Sequence, residues 1–209
     1  MKTLLEAPRG ARACYVLAHG AGAGMTHPFL AAVAKGLASR GIATLRYDFP
    51  YMQRGSKRPD TPKVAHAAVR EAVEEAARVA PKLPLVAGGK SYGGRMTSQA
   101  QALAPLPGVR GLAFLGFPLH APGNPSSERG DHLADVKVPM LFLQGTRDDF
   151  AQMDLLKPLV KKLGAGATLH TFEDADHSFH VPARTGRNDA DVREELLDAL
   201  AAWIDRTLG

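Results

Sequence analysis

The chain has 209 residues, of which 45% are hydrophobic, so it is long enough to bury a substantial core. Its single cysteine, Cys14, excludes an internal disulfide framework and a zinc cluster built from cysteines. The net charge of +5 comes from basic residues spread along the chain without interleaved aromatics, which argues against a surface that stacks nucleic-acid bases.

In the N-terminal half, short apolar runs bounded by glycine or proline predict strands, and apolar residues at helical spacing predict helices between them. The predicted order is an edge strand at 3–7, a buried strand at 13–18, a helix from 28 to a stop at Gly41, a strand at 42–49, a polar basic loop at 50–60 and a helix from 61 to about 80. Pro62, directly after Thr61, favours the start of that last helix.

The C-terminal half continues the alternation. The predicted elements are a strand from 83 to about 90, a helix that starts at Tyr92 and shows helical spacing over 95–103, a strand at 109–116, a loop to 135, a strand at 138–144, a helix at 152–163 that Pro158 should end or kink, a strand at 167–173 and an amphipathic helix at 189–208. Alternating strands and helices predict an α/β fold, with a mostly parallel sheet covered by helices on both faces. We expect one domain spanning residues 1–209.

Sequence features also bear on location. No apolar segment approaches the roughly 18 residues of a membrane span. The N-terminus reaches Glu6 and Pro8 too early for the apolar core of a signal peptide. We therefore expect a cytoplasmic protein with no membrane partner and no nucleic-acid partner.

The segment 89–94 reads Gly-Lys-Ser-Tyr-Gly-Gly and fits the G-x-S-x-G pattern of a nucleophile between a strand and a helix. The apolar run before it and the helical spacing after it predict that context. Glycines beside such a sharp turn remove side chains that would collide, so the hydroxyl of Ser91 should stand above the sheet edge. The N–H of Tyr92, at the helix start, should face the same space, where helix N-termini favour negative charge.

An acid and a base that could serve this serine follow later strands. Asp148 and Asp149 come after the strand at 138–144, and His177 and His180 come after the strand at 167–173. Ligands of open α/β sheets bind outside the C-terminal ends of the strands, so one carboxylate, one imidazole and Ser91 should meet at one rim. Acyl transfer by a serine needs such a base and an acid that orients it.

A metal site is the competing interpretation of the second loop. Asp176, His177 and His180 supply three candidate ligands. The loop lacks the i, i+4 spacing of two histidines on a helix. We therefore expect no metal and no organic cofactor.

Five segments spread over nearly the whole chain carry a family resemblance. They are His-Gly-Ala-Gly-Ala-Gly at 19–24, Asp-Phe-Pro-Tyr at 48–51, the serine segment at 89–94, Gln-Gly-Thr-Arg-Asp at 144–148 and Asp-His-Ser-Phe at 176–179. With them the chain resembles compact members of the α/β-hydrolase superfamily, in the branch of small dienelactone-hydrolase-like proteins. The chain order Ser, Asp, His is the one expected of that fold.

The resemblance implies roles for particular residues. The family places the acid three residues after Gly145 and the base directly after an aspartate, here Asp176. The implied set is Ser91 as nucleophile, Asp148 as acid, His177 as base, and the N–H groups of Tyr92 and Ala21 as oxyanion donors.

The predicted site is shallow and open. Only about twenty residues separate the strand ending near 117 from the strand starting at 138, too few for the helical lid of larger relatives. Candidate substrate-binding residues are Met25, Tyr51, Met52, Phe150 and Phe179, with Arg54 near the rim. Cations in the loop at 50–60 should favour esters that carry a negative group, by raising encounter rates.

The sequence therefore predicts a serine hydrolase that cleaves a small carboxylic ester or thioester through an acyl-enzyme. The alternative is a noncatalytic scaffold or interaction module that keeps the fold, and a basic nucleic-acid binder is the third reading. The complete Ser, Asp and His set favours the enzyme, because a scaffold has no physical need for all three.

Overall fold

A computed structural model describes residues 1–209, and its centre is a seven-stranded sheet. The strands are β1 (Thr3–Glu6), β2 (Ala13–Ala18), β3 (Ile42–Tyr47), β4 (Leu85–Lys90), β5 (Val109–Leu115), β6 (Met140–Gly145) and β7 (Ala167–Phe172). They lie in the order β1-β3-β2-β4-β5-β6-β7. Only β1 is antiparallel to its neighbour, and every other pair is parallel.

Six α-helices accompany the sheet. They are α1 (Pro28–Ala38), α2 (Pro50–Gln53), α3 (Pro62–Val79), α4 (Tyr92–Leu103), α5 (Met153–Leu163) and α6 (Asp189–Leu208), with short 3₁₀ helices at Glu128–Asp135, Gly164–Gly166 and Ala183–Thr185. None of them is long and apolar enough to cross a membrane.

The two faces of the sheet carry separate hydrophobic clusters. On one face, α3 and α4 contribute Val73 and Met96 to a cluster that includes Phe114 of β5. On the other face, α1 and α6 contribute Leu37 and Leu197 to a cluster that includes other strand residues. Because both faces are covered, central strands such as β2 are buried at every position, as their unbroken apolar sequences predict.

This architecture confirms the predicted fold class, a compact α/β-hydrolase fold without a lid domain. Between β5 and β6 the only regular element is the 3₁₀ helix Glu128–Asp135. The C-terminal ends of the parallel strands therefore meet at a rim that no inserted helical domain covers.

Of three local predictions, one was wrong. The segment at 50–60 is not loop throughout, because Pro50 is pre-organised for the first position of α2. Helix α4 begins at Tyr92, directly after the serine, as predicted. Of the end or kink expected at Pro158, the end does not occur: α5 continues to Leu163, and Pro158 lies on the exposed face, where the carbonyl of Asp154 that it leaves unpaired can face water.

Candidate active site

The turn between β4 and α4 is strained at the serine. Ser91 has φ 49° and ψ −118°, outside the regions that residues with a side chain ordinarily occupy. The strand beneath it has no room for a side chain at Gly88, because a Cβ there would lie 1.8 Å from the carbonyl oxygen of Ala113. The glycine at this position, with φ 151°, thus lets β4 run beside β5 directly into the turn.

His177 joins the serine to an aspartate. Its Nε2 lies 2.8 Å from Ser91 Oγ, and its Nδ1 lies 2.7 Å from Asp148 Oδ2. With the imidazole proton on Nδ1, that N–H donates to the carboxylate and Nε2 accepts from the serine hydroxyl. This is the arrangement in which a neutral imidazole can take the hydroxyl proton.

Asp148 is held from several sides. Its side chain is buried, and its Oδ1 accepts the N–H of Phe150 at 2.8 Å. Its Oδ2 accepts from the side-chain amide of Gln144 as well as from His177. Gln144 in turn accepts the N–H of Phe117 at 2.8 Å, which links the ends of β5 and β6 to the aspartate. These contacts fix the carboxylate in its orientation toward the imidazole.

The loop that carries His177 is organised by its neighbour Asp176. The carboxylate Oδ1 of Asp176 accepts the N–H groups of Ser178 at 2.7 Å and His180 at 2.9 Å. The ring of Phe150 lies against the imidazole of His177, with centroids 4.3 Å apart. His177 is therefore held in place by the hydrogen bonds within its loop and by the contact with the Phe150 ring.

The alternative acid and base lie outside this arrangement. Asp149 is exposed and makes no contact with an imidazole. His180 pairs on the surface with Asp189, at 2.9 Å, and that contact raises the pKa of His180. The structure thus brings His177 and Asp148, and not their sequence neighbours, to Ser91.

The glycine-rich loop at 19–24 lies beside the serine. His19 is buried, its Nδ1 lies 2.7 Å from the carbonyl oxygen of Gly20, and its Nε2 accepts the N–H of Phe49 at 3.2 Å. Burial lowers the pKa of His19, which keeps it in the neutral form that these two bonds require. The N–H of Gly22 donates to the hydroxyl of Tyr51 at 3.0 Å.

Two backbone donors near Ser91 have no acceptor within the protein. The N–H of Ala21 has no protein acceptor, and Ala21 lines the cavity that contains Ser91. Tyr92 is the first residue of α4, where a backbone N–H has no partner within the helix. Both predicted oxyanion donors are thus available for a ligand oxygen.

A cavity of about 340 Å³ opens beside the serine. Its lining residues are Gly20, Ala21, Ala23, His27, Phe29, Leu30, Lys90, Ser91, Phe150, His177 and Ser178. The walls are largely apolar, and the polar groups are concentrated around Ser91 and His177. Such a cavity suits a small acyl group held next to a reacting centre.

Among the predicted substrate-binding residues, only Phe150 lines this cavity, and the other placements need correction. Met25, Tyr51 and Phe179 are buried and do not line the cavity, and the rings of Tyr51 and Phe179 pack in the hydrophobic core. Met52 packs partly buried against the same core. Arg54 extends to the surface and pairs with Asp60, so its charge is already engaged.

Sequence reasoning also missed several residues of the site. Phe29 and Leu30 lie in the first turn of α1, a few residues after the glycine-rich loop, and that position was a usable signal. Lys90 and Gln144 were part of segments that carried the family resemblance. Their side-chain directions follow from tertiary packing, which no sequence pattern shows.

Comparisons with known proteins agree with this fold. A family model described as an alpha/beta hydrolase domain matches residues 11–205. A dienelactone hydrolase from Anabaena variabilis has a TM-score of 0.77 at 20% identity, covering 98% of this chain and 91% of that one. An alpha-beta serine hydrolase homologue from Coxiella burnetii has a TM-score of 0.74 at 18% identity, covering 95% and 90%.

A third solved structure bears on the lid. It is an a/b serine hydrolase without lid from Xanthomonas campestris, with a TM-score of 0.73 at 20% identity, covering 96% of this chain and 88% of that one. At these identities the likeness is one of fold.

Proposed function

Because the chain belongs to the alpha/beta hydrolase domain family, we propose that it is a serine hydrolase that cleaves a small carboxylic ester or thioester through an acyl-enzyme. One observation carries the proposal: His177 lies within hydrogen-bond distance of both Ser91 Oγ, at 2.8 Å, and Asp148 Oδ2, at 2.7 Å. A nucleophile, its base and an orienting acid in contact are the minimum that acyl transfer by a serine requires.

In the first half of the reaction, Ser91 Oγ attacks the carbonyl carbon of the substrate while His177 Nε2 takes its proton. The carbonyl oxygen becomes an oxyanion, which the N–H groups of Ala21 and Tyr92 would bind. Asp148 stabilises the imidazolium. The intermediate then collapses, the bond from carbon to the leaving oxygen or sulfur breaks, and His177 gives its proton to the leaving group.

In the second half, a water molecule enters and His177 takes one of its protons. The hydroxide attacks the acyl carbon, the same two N–H groups bind the new oxyanion, and the bond to Ser91 Oγ breaks. The proton returns from His177 to Ser91 Oγ, which releases the carboxylic acid and restores the enzyme.

The cavity supports a substrate of modest size. Its volume is near the lower end of the range for small-molecule sites. Ala21, Ala23, Phe29 and Leu30 give it an apolar wall suited to a short acyl chain.

Backbone strain at the nucleophile argues against the scaffold alternative. A non-glycine residue at φ 49° costs about 1–3 kcal/mol and persists only where its surroundings impose it. An interaction module that used only the outer surface would gain nothing from keeping that strain together with an assembled triad.

The direct test is covalent labelling. A fluorophosphonate probe should label the wild-type protein at Ser91 and leave Ser91→Ala unlabelled. A panel of 4-nitrophenyl esters from acetate to decanoate, with matched thioesters, should then show kcat/KM falling once the acyl chain exceeds the cavity. Absence of labelling together with absence of ester and thioester hydrolysis would refute the enzyme and favour the scaffold.

A further inference from the structure

We propose that Lys90 is a positioning residue that holds the catalytic base against the nucleophile, through a hydrogen bond from its ammonium group to the carbonyl oxygen of His177. The inference rests on the proposed hydrolase function and adds a residue to it.

Lys90 is the last residue of β4 and directly precedes Ser91. Its Nζ donates to the backbone carbonyl of His177 at 2.6 Å, across 87 positions of the chain. No other hydrogen bond runs from β4 to the backbone of the segment 174–180. The residue before the nucleophile is thereby tied to the backbone of the base.

The loop that Lys90 contacts needs external support. Asp174 and Phe179 have φ values of 58° and 64°, which are uncommon for residues that carry a side chain. The bonds of Asp176 organise the N–H groups of the loop, but they do not engage the carbonyl of His177. Lys90 satisfies that carbonyl and so connects the loop to the sheet.

The ammonium group sits in a confined place. A Cβ at Gly116 would lie 3.0 Å from Lys90 Nζ and 3.4 Å from the imidazole of His177. The Nζ also lies 5.7 Å from the centre of the Phe179 ring, a geometry in which a cation is attracted to the ring face. These neighbours leave the ammonium little freedom to move away from the carbonyl.

No carboxylate forms an ion pair with Lys90, although charged groups lie near it. Asp148, in the loop after β6, and Asp176, in the loop after β7, both favour the charged ammonium. The titratable histidines nearby are His177, whose carbonyl Lys90 contacts, and His27, which precedes α1 and lines the same cavity. The end of β5 supplies only Gly116. Burial outweighs the two carboxylates and lowers the pKa of Lys90 to about 8.

This environment gives the contact a pH dependence. A charge-assisted hydrogen bond is roughly twice as strong as a neutral one, so the contact weakens as Lys90 loses its proton. Displacement of a catalytic group by about 1 Å can reduce turnover about 100-fold. We therefore expect kcat to fall as pH rises through about 8, because His177 is then less firmly held.

The test compares wild type with Lys90→Met, which keeps the length of the side chain and removes its donors. Lys137→Met is the matched control, because Lys137 also donates to a backbone carbonyl, that of Ala134 at 3.0 Å, away from the site. For each protein, kcat and KM are measured with 4-nitrophenyl acetate from pH 6 to pH 10, and folding is checked by circular dichroism.

Lys90→Met should lower kcat at pH 7 about 10- to 100-fold while KM changes less than about threefold, as expected when a base is misplaced. It should also lack the fall in kcat near pH 8, while Lys137→Met should match wild type. A kcat within twofold of wild type, or an unchanged alkaline limb, would overturn the inference. If Lys90→Met does not fold, the wild-type profile decides, since a kcat that stays level through pH 8–9 contradicts it.

The failure of the inference can be told from that of the proposed function. If wild type is labelled at Ser91 and hydrolyses the ester, but Lys90→Met has the same kcat and the same pH dependence as wild type, only the role of Lys90 is refuted. If wild type shows no hydrolysis that depends on Ser91, both are refuted.

Discussion

His177 Nε2 lies 2.8 Å from Ser91 Oγ although the two residues are 86 positions apart and follow strands that are not neighbours. Ser91 follows β4 and His177 follows β7, with β5 and β6 between them. The loop from β7 must therefore cross the ends of two strands to reach the serine. It can do so because glycines, Gly116 and Gly145, end those strands and leave space beneath it.

Replacing Gly145 by alanine should disrupt this crossing. A Cβ at Gly145 would lie 2.2 Å from the carbonyl oxygen of Ala175, so the loop or the strand must shift. We expect the free energy of unfolding to fall by about 1–3 kcal/mol. The fractional decrease in kcat should be larger than the fractional decrease in the free energy of unfolding. Urea unfolding and ester hydrolysis measure the two effects. Gly166→Ala is the control, since its Cβ would meet nothing within 4 Å and should leave both quantities nearly unchanged.

Ser91→Ala should reduce ester turnover by several orders of magnitude and leave the fold intact, as loss of a triad nucleophile does. The melting temperature should stay close to that of wild type, because the substitution removes one small polar atom at a partly exposed position. Steady-state kinetics with an activated ester provide the measurement. Hydrolysis at the wild-type rate would show that another residue is the nucleophile.

Asp148→Asn should lower kcat by about 10⁴, because an amide in place of the carboxylate favours the wrong imidazole tautomer. Asp149→Asn is the paired control, since Asp149 is exposed and does not contact His177. Both variants are assayed with the same ester near neutral pH. Equal losses in the two variants, or a larger loss in Asp149→Asn, would reject Asp148 as the orienting acid.

The fold could be predicted from sequence because its signals are local. Strand β2 reads as an unbroken apolar run since helices cover both of its faces, and α6 was predicted at its observed ends from its amphipathic spacing. In the structure Asn188 and Asp191 form a capping box that fixes its start. Helix α4 begins at Tyr92, as predicted, although two glycines, Gly93 and Gly94, follow in its first turn. They are tolerated in α4 because they lie against the strands.

The candidate site likewise has one part that the sequence predicts and one part that it does not. Ser91, Asp148 and His177 follow strand ends, so the topology of a parallel sheet brings them to one rim. The cavity walls depend on which side chains face inward, and that is decided by packing. Tyr51, for example, was expected beside the substrate, yet its hydroxyl is used to accept the N–H of Gly22 and its ring is buried.

His132 should make the free energy of unfolding decrease at acidic pH. Its Nε2 lies 2.7 Å from Ser98 Oγ, and burial, with further repulsion from Arg95 and His66, lowers the pKa of His132 to about 4. In the unfolded chain the same imidazole titrates near 6.5. Between those two values the unfolded state binds more protons than the folded state, so the free energy of unfolding must fall as pH falls from about 6.5 to about 4.

His132→Gln, which can keep a hydrogen bond to Ser98, should weaken that decline in urea unfolding measured at pH 4.5, 5.5 and 6.5. His180→Gln is the contrasting variant. Asp189 raises the pKa of His180, so protonation of this histidine stabilises the folded protein below about pH 6.5. That contribution is lost as the pH rises through the folded-state pKa. Its removal should therefore steepen the acid decline slightly, and only slightly because the pair is exposed. If His132→Gln leaves the pH dependence of wild type unchanged, His132 is protonated in the folded protein and the buried neutral form is wrong.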